Sequence, residues 1–354
     1  MKQPDPADTA DTPDTADTPD TADTAATPDT RRPRTPPLRR AARALRRPAP
    51  WRRGLALAAL ALLLGLLMAL HARIPSGIMN LGSLTETFLP WFGLSVLPLL
   101  AGALWRRSAS AGVALVLPVT VWLSLFGGLL TDKSRPGSDL TVAGHNVGAA
   151  NRDPAGTARD LAASGADLLA LQELTDTARP LYEAELAKTY PYHTTSGTVG
   201  LWSKLPLSDT RPVDIAMYPS RALRTTVATE RGPMAVYVAH LGSVRVNPRA
   251  GMSTAQRDAG AEALAAAVAA EPAERVMLLG DLNGTVDDRA FDGLTGQMRS
   301  VQEEAGNGFG FSWPAGFPVA RIDQILVRGV EPRSAWLLPA TGSDHLPVAA
   351  GIAW

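Results

Sequence analysis

The chain of 354 residues carries 34 Lys and Arg against 34 Asp and Glu, and it contains no cysteine. Without cysteine, disulfides, thiolate metal sites and thiol nucleophiles are excluded. The zero net charge conceals an acidic segment, a basic segment and a long apolar region, so the average composition describes none of them.

Residues 1–53 precede the first apolar stretch. Residues 5–30 repeat Ala or Pro, Asp and Thr with almost no large apolar side chain, which predicts a disordered acidic tail. Residues 31–53 hold ten arginines, a pattern that nucleic-acid-binding segments also show. Because this segment lies directly before an apolar stretch, we interpret it as an Arg-rich cytoplasmic flank.

Three apolar stretches follow within residues 54–131, at about 54–72, 88–105 and 111–130. Each is long enough for a transmembrane helix. The arginines before the first stretch, and Arg106 and Arg107 between the second and third, predict a cytoplasmic N-terminus and an outer location beyond residue 131. The alternative is that the first apolar stretch is a signal peptide, with Arg52 and Arg53 before it as a twin-arginine signal, but the long leader and the lack of a clear cleavage site weaken it.

Residues 137–354 alternate short apolar runs with alanine-rich helical patterns, which predicts one extracytoplasmic domain. Predicted strands cover residues 140–146, 166–173, 198–204, 223–229, 234–241, 275–281, 321–327 and 346–354, and predicted helices cover 154–164, 177–186 and 253–271, with Ser253 as the cap of the last. Two passages from strand to strand lack a helix. This order favours an α/β fold with a mixed sheet or two packed sheets flanked by helices.

Polar residues stand at the ends of these strands. They are Asn146, Glu173, His240, Asp281 and Asn283, with Asp344 and His345 before the last strand. Oxygen and imidazole ligands without cysteine favour Mg²⁺, Mn²⁺ or Ca²⁺ over a structural zinc. Each residue alone also fits a turn, a solvated acid or a structural histidine. Asp323 is harder to explain in this way, because it interrupts an apolar strand and a buried carboxylate needs a partner, for which we propose a histidine.

The ordered set of motifs resembles the endonuclease/exonuclease/phosphatase superfamily of metal-dependent phosphoesterases. The motifs are Asn146, LQE ending at Glu173, GLWSKLPL from Gly200, AHL at His240, GDLN from Gly280, RIDQILV around Asp323 and SDHLPV from Ser343. The resemblance implies a four-layered α/β/β/α sandwich with the site at one edge of two central sheets. The chain has Lys204 after Ser203, where members of the superfamily often have arginine.

The resemblance also implies a role for each residue. Asn146, Glu173 and Asp344 would hold Mg²⁺ or Mn²⁺, with Glu173 as the main ligand. Asp281 and Asn283 would orient the attacking water and the phosphoryl oxygens, and His240 would bind a phosphoryl oxygen. His345, its ring fixed by Asp323, would be the acid/base group and is expected to be a neutral imidazole near neutral pH.

The substrate is predicted from charge and tethering. Residues 139–354 carry 18 Lys and Arg against 24 Asp and Glu, which disfavours nucleic acid. A short linker, residues 131–139, would hold the site near the outer leaflet, which favours a phosphorylated membrane lipid. The arrangement is similar to the VanJ-type teicoplanin-resistance membrane proteins of actinomycetes, which implies undecaprenyl pyrophosphate as substrate, in carrier-lipid recycling or glycopeptide resistance. The alternatives are an extracellular phosphodiesterase, sphingomyelinase-like or a nuclease, and a non-catalytic surface binding protein. The sequence does not predict the oligomeric state.

Overall fold

The computed structural model describes residues 48–75, 80–247 and 251–354. The predictions of a disordered acidic tail and of most of the Arg-rich segment fall on residues 1–47, which lie outside the described residues.

Apolar helices make up the first part of the described chain. They are α1 Pro48–Arg52, α2 Leu55–Ala69, α3 Leu81–Phe88, α4 Val96–Trp105, α5 Ala109–Ala114 and α6 Val116–Phe126, with 3₁₀ turns at His71–Arg73, Leu89–Ser95 and Gly127–Leu130. The runs Leu81–Trp105 and Ala109–Leu130 are long and apolar enough to cross a membrane. Helix α2 has 15 residues, about 22 Å at 1.5 Å per residue, and is shorter than a bilayer core of about 30 Å. The three membrane spans therefore remain predictions. Two of the three coincide with helical runs that are long and apolar enough to cross a membrane.

Large apolar side chains on these helices face outward. Leu63 is 63% exposed, Leu97 62% and Leu104 68%. Exposure of this much apolar surface to water is unfavourable. Such a surface is typical of contact with a membrane or a partner protein.

The remainder of the chain folds into two six-stranded sheets and a small hairpin. The strands are β1 Leu140–Asn146, β2 Leu168–Gln172, β3 Tyr192–Ser196, β4 Val199–Ser203, β5 Leu207–Pro212, β6 Ala222–Thr229, β7 Gly232–His240, β8 Arg245–Asn247, β9 Gly251–Ser253, β10 Val276–Asp281, β11 Arg299–Ser300, β12 Asp323–Arg328, β13 Glu331–Leu337 and β14 Val348–Ala353. The first sheet has the order β13-β14-β1-β2-β4-β3 and the second β11-β12-β10-β7-β6-β5. Within these sheets the pairs β1/β2 and β7/β10 are parallel, and the other pairs are antiparallel.

The two sheets pack face to face with helices on their outer faces. The helices are α7 Pro154–Ala163, α8 Arg179–Leu186, α9 Ala255–Ala269, α10 Asp292–Thr295 and α11 Val301–Ala305, and a 3₁₀ turn spans Arg289–Phe291. Val142 of β1 and Val238 of β7 belong to the central apolar layer between the sheets. Leu161 of α7 packs in the outer layer on the first sheet, and Leu264 of α9 packs in that on the second. The predicted sandwich of two sheets flanked by helices is confirmed.

The cap predicted for α9 is wrong. Ser253 belongs to β9, and the residue before the helix is Thr254, whose hydroxyl donates to Asp258 at 2.7 Å rather than accepting from the first turn. Six strands were not predicted from the sequence, namely β3, β5, β8, β9, β11 and β13. These strands are short, polar or at sheet edges, so their apolar periodicity is weak.

Candidate active site

Three neighbouring strands of the second sheet bring three polar residues side by side. Asp281, the last residue of β10, pairs with His240 at the end of parallel β7 and with Asp323 at the start of antiparallel β12. All three side chains are at most 3% exposed. The apolar strands that carry these residues fix this register, because a slip by one residue would turn each strand's core face outward.

The first sheet contributes Asn146 and Glu173 from the ends of its parallel pair. Asn146 is paired with Gln172, so Glu173 follows directly at the same edge. The Asn146 amide donates to Asp281 Oδ2 at 2.9 Å. Glu173 Oε2 accepts from the Ala149 backbone N–H at 2.7 Å, and its Oε1 lies 3.7 Å from His240 Nε2. Polar ends from both sheets thus meet at one edge of the sandwich.

The backbone turns sharply at two of these positions. Glu173 has φ 61° and Asn283 has φ 51°, which is a left-handed conformation that non-glycine residues seldom adopt. Asn283 is held in place by its backbone N–H, which donates to Asp281 Oδ1 at 2.9 Å, and by its amide, which donates to the Leu241 carbonyl at 3.0 Å. Strained residues of this kind concentrate at functional sites.

The loop before β14 completes the site with His345. Its Nδ1 lies 2.8 Å from Asp323 Oδ2, and the same carboxylate oxygen accepts from the Ser312 hydroxyl at 2.6 Å. The His345 backbone N–H donates to Ser343 Oγ, which donates in turn to the Asn146 carbonyl at 2.6 Å. The predicted pairing of Asp323 with a histidine is therefore confirmed. It leaves His345 Nε2 facing Asp281 Oδ2 at 3.8 Å.

Carboxylates set the charge of the His345 ring. Burial lowers the pKa of His345, but the charges of Asp323, Asp281 and Asp344 and the hydrogen bond to Asp323 outweigh burial and raise that pKa to about 9. The imidazolium is thus favoured at neutral pH, which differs from the neutral ring that the sequence suggested. The proximity of several carboxylates to this ring could not be read from the sequence.

His240 has the opposite environment. Burial lowers the pKa of His240, although Asp281 and Glu173 oppose this effect. Its two ring nitrogens have no hydrogen-bond partner among the described residues, although the side chain is 2% exposed. A buried polar group without a partner is costly, so His240 is suited to binding a polar ligand such as a phosphoryl oxygen.

A cavity of about 670 Å³ opens in front of these residues. Glu173, Asp281, Asn283, Asp344 and His345 line it on the polar side. Asp344 is exposed, and its Oδ2 accepts from the Trp313 indole N–H at 3.2 Å. A volume of this size accommodates a small organic group together with the phosphate that it carries.

The donor atoms are compatible with a divalent cation. Glu173 and Asp344 offer carboxylate oxygens to the cavity, whereas Asn146 is buried with its amide bonded to Asp281 and its Oδ1 accepting from Gly148. Oxygen donors of this kind suit Mg²⁺ or Mn²⁺. Atoms of Asp281, Asp323 and His345 lie within 4.8 Å of one another and could also hold an ion.

We favour the first donor set, because both carboxylate oxygens of Asp281 already accept hydrogen bonds, Oδ1 from the Asn283 backbone N–H and Oδ2 from the Asn146 amide. The ligand set Asn146, Glu173 and Asp344 and the other residue roles stay predictions. In the structure, all eight predicted site residues lie together at one edge of the two-sheet sandwich. Ser312 and Trp313 were not predicted as site residues, because they lie in a glycine-rich aromatic loop without a recognisable motif.

Residues 143–345 match the model of the Endonuclease/Exonuclease/phosphatase family. The chain belongs to this family. The matched region begins in β1 and ends at His345, so it contains each of the predicted site residues. The family comprises hydrolases that act on phosphoester bonds, which agrees with the chemistry expected of the site.

Solved structures share the fold at low sequence identity. A functionally unknown conserved protein from Enterococcus faecalis V583 is 16% identical, with a TM-score of 0.52 over 60% of this chain and 99% of that chain. D. rerio TDP2, solved with a single-strand DNA product, is 19% identical, with a TM-score of 0.52 over 61% of this chain and 99% of its own. The endonuclease/exonuclease/phosphatase from Bacteroides vulgatus is 15% identical, with a TM-score of 0.50 over 61% and 99%. No curated protein sequence matches the chain.

Proposed function

We propose that this family member is a membrane-anchored phosphatase that hydrolyses a phosphorylated lipid at the outer face of the membrane. The proposed substrate is undecaprenyl pyrophosphate, and the proposed cofactor is Mg²⁺, with Mn²⁺ as an alternative. The N-terminus would be cytoplasmic and the catalytic domain extracellular. A role in carrier-lipid recycling or glycopeptide resistance, as in VanJ-type proteins, would follow from this activity.

One observation carries the lipid proposal. Thr87 and Phe88, at the end of α3, line the same cavity as Asp281 and His345. Helix α3 opens the apolar run Leu81–Trp105, which is long enough to span a membrane. A substrate with its phosphate at the catalytic residues would therefore lie beside the proposed membrane anchor.

The side chains support hydrolysis by in-line displacement at phosphorus. We propose that His240, whose ring nitrogens have no hydrogen-bond partner among the described residues, donates a hydrogen bond to a phosphoryl oxygen, and that Asn283, which lines the cavity, orients the same group. As an imidazolium, His345 can donate a proton from Nε2 to the leaving oxygen. A divalent cation at Glu173 would neutralise phosphoryl charge and polarise the attacking water.

The charge of the domain argues against nucleic acid as substrate. Residues 139–354 have six more acidic than basic residues, 24 against 18. Proteins that follow a nucleic-acid backbone do so with clustered Lys and Arg. A non-catalytic binding role would not require Asp323 and His345 to keep a hydrogen-bonded pair beside an unpartnered His240.

The substrate class is tested by incubating the purified full-length protein with three compounds, each with and without EDTA. The compounds are undecaprenyl pyrophosphate, sphingomyelin and single-stranded DNA. We expect EDTA-sensitive phosphate release from undecaprenyl pyrophosphate alone. Cleavage of sphingomyelin or DNA but not of the pyrophosphate would replace the proposal with a phosphodiesterase, and no turnover of any compound would favour a binding protein.

A further inference from the structure

The cavity has a chemically mixed lining. Besides the acidic residues and His345, apolar or aromatic side chains contribute to its wall. These are Phe88, Val244, Trp313, Ala320 and Ile322. A phosphate needs only the polar side, so the apolar side must face another part of the ligand or remain in contact with water.

The apolar side is continuous with the helices that have an outward apolar surface. Phe88 ends α3, and the 3₁₀ turn Leu89–Ser95 leads directly into α4. Along this run Leu94 is 55% exposed and Leu97 62%. The wall of the cavity and the proposed membrane surface thus belong to one helical run.

Buried polar contacts hold α3 against the catalytic domain. The Ser83 hydroxyl donates to Asp288 and accepts from Arg257 Nη2 at 3.0 Å. Arg257 is 1% exposed and also bonds Asp288 at 2.8 Å. Because a buried arginine is tolerated only when it is paired, loss of α3 would leave part of this network unsatisfied.

A second set of contacts fixes α3 and the turn that follows it. Glu86 is fully buried and pairs with Arg289 at 2.9 Å. The Trp91 indole N–H donates to the Val319 carbonyl at 2.8 Å, and its ring stacks on Phe311 at 5.5 Å. These contacts bind the helical run to the loop of residues 309–320, which also lines the cavity. The helix is therefore a built part of the site and more than a tether.

We propose that α3 and the loop of residues 313–322 form a channel for the apolar chain of the lipid substrate. The phosphate end would lie at His240 and His345, and the chain would pass Phe88 and Ile322 toward the outward apolar surface of α4. Phe88 would then determine selectivity for chain length. This inference rests on the proposed lipid phosphatase function and adds to it a path and a specificity residue.

The test compares two substrates with the same head group, undecaprenyl pyrophosphate and dimethylallyl pyrophosphate. The measured quantity is the ratio of kcat/KM for the long chain to that for the short chain, using full-length protein in detergent micelles. We expect a large ratio for the wild type and a fall of about tenfold or more in Phe88→Ala, because contact with the ring would stabilise only the long chain. Leu63→Ala, an exposed apolar truncation on α2 and outside the proposed channel, should keep the wild-type ratio.

The outcomes distinguish failure of the channel proposal from failure of the proposed phosphatase function. Hydrolysis of both substrates by the wild type with a ratio near one, or an unchanged ratio in Phe88→Ala, would overturn the channel while the phosphatase function survives. Hydrolysis of neither would overturn both. If Phe88→Ala does not fold, Phe88→Leu provides the same comparison with a smaller expected fall, and a ratio equal to that of the wild type would again contradict the channel.

Discussion

The side-chain amide of Asn146 donates to the carboxylate of Asp281 at 2.9 Å and so joins the ends of the two sheets at the candidate active site. Asn146 ends β1 in the first sheet, and Asp281 ends β10 in the second. The geometry of the site therefore depends on how the sheets pack. This explains why its residues are spread over 200 positions of the sequence.

Removal of a central site residue should abolish turnover without unfolding the protein. We expect this of Glu173→Ala and of His345→Ala, because both side chains face the cavity. Phosphate release measures activity, and far-UV circular dichroism measures the fold. Glu262→Ala, at an exposed position on α9, is the control and should keep full activity. A collapsed spectrum for either site variant would identify that residue as structural instead.

Asp323→Asn should change the pH dependence of the reaction as well as its rate. The carboxylate raises the pKa of His345, so its removal should lower that pKa and move the corresponding limb of the kcat/KM profile to lower pH. We expect a rate loss of about 100-fold or more at the optimum. Ser312→Ala removes a hydrogen bond to the Asp323 carboxylate and one from the Asp323 backbone N–H but keeps the carboxylate charge, so it should lower the rate by less and should not move this limb to lower pH. An unmoved profile in Asp323→Asn would show that the carboxylate does not act through His345.

The buried ion pair of Glu271 and Arg224 should stabilise the domain at neutral pH, and this stabilisation should be lost in acid. The two hydrogen bonds from Arg224, at 2.8 and 3.0 Å, are the main reason that the pKa of Glu271 falls from 4.5 to about 2. Since the folded state lowers this pKa, the stabilisation is present above pH 4.5 and is lost as the pH falls toward 2. The shift corresponds to about 3 kcal/mol.

Chemical denaturation between pH 6 and pH 2.5 measures this effect. In Glu271→Gln the free energy of unfolding should be lower at pH 6 and should fall less steeply with acid than in the wild type. Glu262→Gln, on the same helix but exposed, should keep the wild-type slope. Equal slopes in the wild type and Glu271→Gln would contradict the assignment.

The proposed topology predicts the behaviour of a fused reporter. Alkaline phosphatase, which is active only outside the cytoplasm, should be active when fused after Trp354. A fusion after Arg107, in the short turn between the second and third predicted spans, should be inactive, because the arginines there favour the cytoplasmic side. An active fusion at Arg107 together with an inactive fusion at Trp354 would show that the topology is the reverse of the proposed one.

The central strands and the site residues could be predicted from the sequence. Apolar runs that end in a polar residue, such as the one ending at Asp281, mark strands whose ends face a cleft. Asp323 was predicted to need a histidine, and His345 lies 2.8 Å from it. The local sequence pattern was sufficient in these cases, because a buried polar side chain needs a hydrogen-bond partner and few arrangements of the chain provide one.

Other features could not be predicted, because they depend on contacts distant in sequence. The charge of His345 is set by carboxylates at positions 281, 323 and 344 together. The contribution of Phe88 to the cavity depends on the packing of α3 against residues more than 200 positions later, such as Asp288. The pattern of apolar and polar residues within either segment does not indicate these distant contacts.

The central claim is that these side chains form one metal-dependent centre that hydrolyses the phosphoanhydride bond of a lipid pyrophosphate. Its most direct test is the rate of phosphate release from undecaprenyl pyrophosphate by purified protein, before EDTA treatment, after it, and after addition of excess Mg²⁺. We predict turnover that EDTA abolishes and Mg²⁺ restores. Turnover that persists at the same rate in EDTA, or no turnover with Mg²⁺ present, would contradict the claim.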